Sequence, residues 1–235
     1  MSMSEPLPSV FVPGLLATPR LYADQIAKLW AFGPVMIADH TRDDTIPAIA
    51  RRLLASAPPR FALIGLSMGG YISLEVVRQA PERVARLALL DTSARPDAPE
   101  QSAGRRALLA LAQAGRFSEI ADRLFTSLVA AGQRDNETLR QLVRFMAEEV
   151  GPEAFGRQQN AIMTRPDARA NLASVRCPTL VLVGDADTIT PPDRASEIAT
   201  GIRGSRLVTV ADCGHLSTLE RPGEVSQALT ELLRS

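Results

Sequence analysis

The sequence predicts an α/β fold, a three-layer α/β/α arrangement with a mostly parallel sheet of about six strands and an inserted helical cap. Three observations carry this. Short Val/Ile/Leu/Ala runs alternate with longer segments of helical periodicity, as expected for parallel strands covered on both faces. One such run, Phe61-Ala62-Leu63-Ile64, leads directly into Gly65-Leu66-Ser67-Met68-Gly69-Gly70, a strand, a tight turn with serine at its apex, and a helix. Finally, the stretch from about Pro96 to Leu172 breaks the alternation and carries helical spacing alone.

The strands are read at Ser9–Val12, Val35–Ala38, Phe61–Gly65, Val84–Leu90, Thr179–Val183 and Arg206–Val210. Helices fall between them at about Leu21–Leu29, Thr45–Ala57, Met68–Ala80, Pro192–Ile202 and Gly223–Arg234, with Pro81 closing the helix that follows the serine. Within the interruption, apolar residues recur at helical spacing in Ala107–Ala114, Ser118–Ala131, Asn136–Glu149 and Glu153–Met163. Gly104, Gly115, Gly132, Gly151-Pro152 and Arg165-Pro166 punctuate these segments. The expected organisation is a core of residues 1–95 and 173–235 with residues 96–172 set on it as a cap. A cap on the sheet edge that bears the serine would wall in a pocket and exclude water.

At 235 residues and 46% apolar content the chain fits one α/β domain with a modest insertion. Its 26 basic and 26 acidic residues cancel, which argues against nucleic acid or an anionic membrane as a partner and leaves a small-molecule substrate. Met1-Ser2-Met3-Ser4-Glu5-Pro6 lacks a basic segment followed by an apolar core, so a cytoplasmic location is expected. Cys177 and Cys213 would lie at opposite edges of the sheet and form no disulfide framework. The motifs contain no metal-ligand cluster, so neither a metal nor a cofactor is expected. Nothing in the sequence fixes an oligomeric state.

A serine on such a turn is a nucleophile in need of a base, and the chain has only two histidines. His215, in Asp212-Cys213-Gly214-His215, follows the last strand, and His40 follows the second. Chain order favours His215, because serine, acid, histidine is the sequence expected with this turn; His40 is read as lining the pocket rim. The acid that orients the imidazole is sought at strand ends between serine and histidine. Asp187 in Gly184-Asp185-Ala186-Asp187 is favoured, with Asp91 and Asp185 as the competitors. Two backbone N–H groups should stabilise the oxyanion: Met68 at the helix start, and Leu15 in Val12-Pro13-Gly14-Leu15-Leu16 after the first strand. Gly14, Leu15, Leu16, Met68 and Leu216 are expected to wall the pocket, with Arg20 reaching a substrate carboxylate. Arg123, Arg144 and Arg157 of the cap are alternatives for that role, and Phe125, Phe145, Phe155 and Met163 are read as core.

Together these motifs resemble the α/β-hydrolase fold superfamily over nearly the whole chain. The resemblance rests on Val12-Pro13-Gly14-Leu15, Gly65-Leu66-Ser67-Met68-Gly69-Gly70, Gly184-Asp185-Ala186-Asp187 with Pro191-Pro192, and Gly214-His215-Leu216 with Glu220-Arg221-Pro222. It is similar to the compact bacterial branch with a helical cap, which includes enol-lactone hydrolases, carboxylesterases, C–C bond hydrolases and the menaquinone-pathway synthase that eliminates pyruvate. The resemblance implies a catalytic triad of Ser67, Asp187 and His215 cleaving a small ester, thioester or lactone without a cofactor. A pyruvate-eliminating lyase, a C–C bond hydrolase, or a non-catalytic receptor on the same shell are the alternatives. The first loop reads Pro13-Gly14 where the family usually has His-Gly. With about eight residues before the first strand, the antiparallel hairpin that often opens the fold has no room, so six essentially parallel strands are expected, the serine-bearing one near the centre. Epoxide hydrolases and haloalkane dehalogenases of this superfamily carry aspartate where this chain has Ser67, which argues against both.

Overall fold

The computed structural model describes residues 6–235. Its sheet is built from β1 (Ser9–Val12), β2 (Val35–Ile37), β3 (Phe61–Leu66), β4 (Val84–Leu90), β5 (Thr179–Gly184) and β6 (Arg206–Val210). The strand order is β2-β1-β3-β4-β5-β6, and every neighbouring pair is parallel. The helices are α1 (Ala23–Leu29), α2 (Ile46–Ser56), α3 (Met68–Gln79), α4 (Pro99–Gln113), α5 (Ile120–Leu128), α6 (Glu137–Met163), α7 (Pro192–Gly201), α8 (Ser217–Glu220) and α9 (Pro222–Arg234).

Alternation along each strand divides the core in two, because successive side chains point to opposite faces. Val10, Leu63, Leu87, Leu89, Val181 and Val183 pack on one face with Ile49 and Leu53 of α2, Ile72 and Val76 of α3, and Ile198 of α7. Phe11, Ile64, Leu66, Leu90, Leu180 and Leu182 pack on the other with Leu29 of α1 and Val225, Leu229 and Leu232 of α9. Along β1, β3, β4 and β5 both faces are therefore dry, which explains why these strands are continuous apolar runs rather than alternating ones.

Between β4 and β5 the chain forms only helices. Ile120 and Phe125 of α5 and Val143, Met146 and Phe155 of α6 extend the second cluster beyond the sheet. Two departures from the expected helices have local causes. Helix α4 begins eight residues before the apolar periodicity at Ala107, because Pro99 opens it and the Gln101 side chain accepts the Ala98 N–H at 2.9 Å; these first turns are polar and exposed, with no apolar stripe to read. The two segments expected at 136–149 and 153–163 are joined end to end as α6, with Gly151 at φ 77° between them. That left-handed angle suits glycine, and Pro152 then restarts the helix as its first residue. The single turn α8 lay outside the expected set.

Strand order reverses beside β1: the chain leaves β1 toward β2 on one side and leaves β3 toward β4 on the other. The carboxyl ends of β1 and β3 thus flank a crevice, the place where open α/β sheets bind ligands. Among the described residues, no helix is long and apolar enough to cross a membrane.

Candidate active site

Ser67 sits between the end of β3 and the start of α3 with φ 56° and ψ −115°. Holding a non-glycine residue there costs about 1–3 kcal/mol. The surroundings enforce it: Ser67 N–H donates to the Leu90 carbonyl at 2.9 Å, and the Ser67 carbonyl accepts from Gly70 N–H at 2.9 Å and Thr92 Oγ1 at 2.8 Å. The flanking glycines are required by close approach. A Cβ on Gly69 would collide with the Val12 carbonyl of β1, and one on Gly65 with the Gly69 carbonyl.

The apex hydroxyl meets a histidine. Ser67 Oγ lies 2.8 Å from His215 Nε2, and His215 Nδ1 lies 2.7 Å from Asp187 Oδ2. The three residues lie after β3, β5 and β6, so they are far apart in sequence but share the carboxyl edge of one sheet. Asp187 is itself held: Oδ1 accepts N–H groups from Ile189 (2.8 Å) and Thr190 (3.0 Å), and Oδ2 accepts the Thr190 hydroxyl (2.8 Å). His215 is fixed through its backbone, whose N–H donates to the Leu128 carbonyl of α5 at 2.9 Å. Glu220 of α8, nearly buried, collects the N–H groups of Ala130, Gly214 and Leu216 at 2.8–3.3 Å. It thereby ties the histidine loop to the chain that follows α5.

Burial pushes His215 toward a lower pKa, but the charge and hydrogen bond of Asp187, helped by Asp91 and Glu220, outweigh it and raise the imidazole above its ordinary value. For Asp187, burial would raise the carboxyl, yet His215 and the Thr190 donors hold it below the usual carboxylate range. The other acids considered from sequence have different partners. Asp91 Oδ1 accepts Gly184 N–H at 3.0 Å and Oδ2 accepts the Ser217 hydroxyl, and burial followed by repulsion from Asp187 pushes its pKa up to about 7. The Asp185 carboxylate accepts Cys213 N–H at 3.2 Å.

A cavity of about 440 Å³ opens at Ser67 and His215. Gly14, Leu15, Leu16 and Leu216 line it, as do Leu108, Leu124 and Val143 from the inserted helices. The Met68 side chain is buried in the core instead, which leaves its backbone N–H, unpaired at the first position of α3, as its link to the site. Gly14 lies against the serine: a Cβ there would sit 3.4 Å from Ser67 Cβ.

Arg20 corrects an expectation. Its guanidinium makes two-pronged hydrogen bonds with Glu149 at 3.1–3.2 Å and stacks on Phe145, 4.5 Å from the ring centroid, and it does not line the cavity. The cap arginines are also engaged elsewhere: Arg123 with Glu119, Arg144 with Asp122, and Arg157 with the Thr41 carbonyl. Among the described residues, the charged side chain of the cavity wall is Arg105, which the sequence does not single out; Asp97 (2.7 Å) and Gln159 (3.0 Å) take its donors. Phe125 and Phe155 are core, whereas Phe145 is about half exposed. Among the described residues, no group of three or more His, Cys, Asp or Glu could hold a metal ion, and Cys177 and Cys213 are both free thiols.

Comparison with known proteins places the fold. The chain is 29% identical over 205 residues to a pimeloyl-(acyl-carrier protein) methyl ester esterase of Aromatoleum aromaticum, covering 82% of each. A thermophilic esterase from Thermogutta terrifontis superposes with a TM-score of 0.87 at 30% identity, over 97% of this chain and 89% of that one. The enol-lactonase from Burkholderia xenovorans LB400 shares the fold at a TM-score of 0.89 and 22% identity, over 100% of this chain and 94% of that one. The model of the alpha/beta hydrolase family matches residues 10–228, and the chain belongs to that family.

Proposed function

We propose that the protein is a serine hydrolase that cleaves a small carboxylic ester, thioester or lactone through an acyl-enzyme on Ser67. The observation that carries this is the unbroken relay from Ser67 Oγ to His215 to Asp187, at 2.8 Å and 2.7 Å, opening into a mainly apolar cavity. In this reading Ser67 Oγ bonds to the carbonyl carbon while its proton passes to His215 Nε2. The carbonyl oxygen, now an oxyanion, accepts the N–H groups of Leu15 and Met68. The carbonyl–leaving-group bond then breaks, and His215 returns the proton to the departing oxygen or sulfur. Water, deprotonated by His215, attacks the acyl carbon, and Ser67 leaves with the proton. Asp187 keeps Nδ1–H toward itself and Nε2 facing the serine throughout.

Residues 96–172 act as a cap whose helices wall the acyl site. Arg105 of the cavity wall donates to Asp97 and Gln159, and Asp97 is shared with Arg165, so the wall keeps a net positive charge at that point. The named activities of the esterase relatives favour hydrolysis over elimination.

The test is hydrolysis of p-nitrophenyl acetate and butyrate. The wild-type protein is expected to turn both over, and Ser67→Ala to lose on the order of 10⁴–10⁶-fold in kcat with an unchanged melting temperature. Comparable rates in the two proteins would remove Ser67 as nucleophile. Tight binding of a small ester without turnover by the wild type would favour a receptor.

A further inference from the structure

The loop carrying Leu15 is held from both sides by side chains that never touch the serine. His40 follows β2, is 3% exposed, and has Nε2 2.9 Å from the Gly14 carbonyl. A carbonyl oxygen only accepts, so Nε2 must carry the proton. Burial pushes the imidazole toward a lower pKa, which keeps the ring neutral, with a bare Nδ1, near neutral pH. The Gly14 carbonyl and the Leu15 N–H belong to one planar trans peptide, so they point in opposite directions. Fixing the carbonyl on His40 therefore fixes the direction of the N–H, away from His40.

The next peptide is fixed as well. Leu16 N–H donates to Gln158 Oε1 at 3.1 Å, and Gln158 is fully buried. Leu16 has φ 56°, an angle a leucine adopts only when its surroundings impose it. Ala17 N–H closes the turn on the Gly14 carbonyl at 3.2 Å. Between the two anchored peptides, the Leu15 N–H makes no hydrogen bond among the described residues.

The anchors are themselves secured. The Asp39 carboxylate accepts Thr41 N–H (3.0 Å) and Arg42 Nε–H (2.7 Å), which shapes the loop around His40. On α6, Arg157 donates to the Thr41 carbonyl at 2.7 Å and Asn160 to the Asp44 carbonyl at 3.0 Å. One stretch of α6, residues 157–160, thus grips the His40 loop and the Leu15 loop together.

We propose that His40 and Gln158 are positioning residues that clamp the Gly14–Leu16 turn and aim the Leu15 N–H at the oxyanion formed over Ser67. The proposal rests on the acyl-transfer reading of Ser67. Full esterase activity in Ser67→Ala would remove that reading, whereas the His40 variants test the clamp alone. A donor held in place before the reaction stabilises developing charge without reorganisation; one free to turn does not. The His40 Nε2–H bond also draws electron density toward the carbonyl, which makes the N–H of the same peptide a stronger donor.

The experiment compares His40→Phe and His40→Gln with wild type on p-nitrophenyl butyrate. It also measures inhibition by an alkyl trifluoromethyl ketone, whose serine adduct carries an oxyanion, and by butyramide, which does not. His40→Phe removes the donor and is expected to lower kcat about 10- to 100-fold. Its affinity for the trifluoromethyl ketone should fall by a similar factor while butyramide affinity is unchanged. His40→Gln, which can offer an N–H at nearly the same place, should recover most of both losses. The proposal is overturned if folded His40→Phe keeps kcat within about twofold of wild type, or loses kcat without losing trifluoromethyl ketone affinity, or if folded His40→Gln recovers neither. Should His40→Phe fail to fold, ¹⁵N imidazole spectra of the wild type decide. The chain has only two histidines, so His40 is assigned by elimination from a His215→Ala spectrum. A proton on Nε2 is expected, and a neutral ring protonated on Nδ1 would contradict the clamp.

Discussion

At the scale of single residues, the site depends on which charges are allowed to persist without water. Asp187 keeps its negative charge because four groups, three N–H or O–H donors from residues 189 and 190 together with His215, share its two oxygens. Asp91, equally buried, has one N–H and one hydroxyl and is pushed toward neutrality, with a pKa up to about 7. The two carboxyls thus divide by environment, one ionised beside the imidazole and one poised to lose its charge. This sets the pH dependence. His215 must be neutral to accept the serine proton, and its pKa is raised, so kcat/KM should climb with pH along a limb centred above 6.5, the ordinary histidine value. Asp91 is one of the groups raising it, so Asp91→Asn should move that limb to lower pH. Asparagine can still accept Gly184 N–H and donate to the Ser217 hydroxyl, so the fold should survive. A pH profile of p-nitrophenyl butyrate hydrolysis checks this, and a limb that stays in place or moves upward would contradict it.

At the scale of elements, the strands and the helices between them could be read from the sequence because both sheet faces are covered. Val84–Leu90 and Arg206–Val210 coincide with the expected strands. Phe61–Gly65 and Thr179–Val183 each extend by one residue, into Leu66 and Gly184. The carboxyl-edge loops were legible for the same reason, since Ser67, Asp187 and His215 each follow an apolar run. Tertiary partners were not legible. Nothing local says that Arg20 finds Glu149, 129 residues away, or that Arg105 rather than Arg123 reaches the cavity. His40 gave a partial signal, a histidine after a strand, but its acceptor is a backbone carbonyl, and carbonyl directions leave no mark in sequence. The inserted helices make a prediction of their own. Leu124 of α5 lines the cavity, so Leu124→Trp should shrink the acyl space. The kcat/KM for p-nitrophenyl octanoate should fall at least about tenfold while that for the acetate changes little. Equal effects on both esters would mean that the acyl chain lies elsewhere.

At the scale of the whole molecule, the order β2-β1-β3-β4-β5-β6 is what assembles the chemistry. It puts the Leu15 loop after β1 and the Ser67 turn after β3 side by side, and brings the ends of β5 and β6 alongside with Asp187 and His215. The inserted helices then complete the site from above. Leu128 and Ala130 contact the histidine loop and its Glu220 anchor, and Arg157, Gln158 and Asn160 hold the Gly14–Leu16 turn and the loop after β2. The cavity is thus built by core and insertion together, and a serine nucleophile within it is the central claim. The most direct test is peptide mass analysis after rapid acid quench during steady-state turnover of p-nitrophenyl butyrate. The p-nitrophenolate group leaves readily, so acylation should outpace deacylation and the intermediate should accumulate. The account predicts a butyryl group on the peptide containing Ser67, absent from Ser67→Ala. Full turnover with an unmodified Ser67, or a butyryl group on another residue, would contradict it.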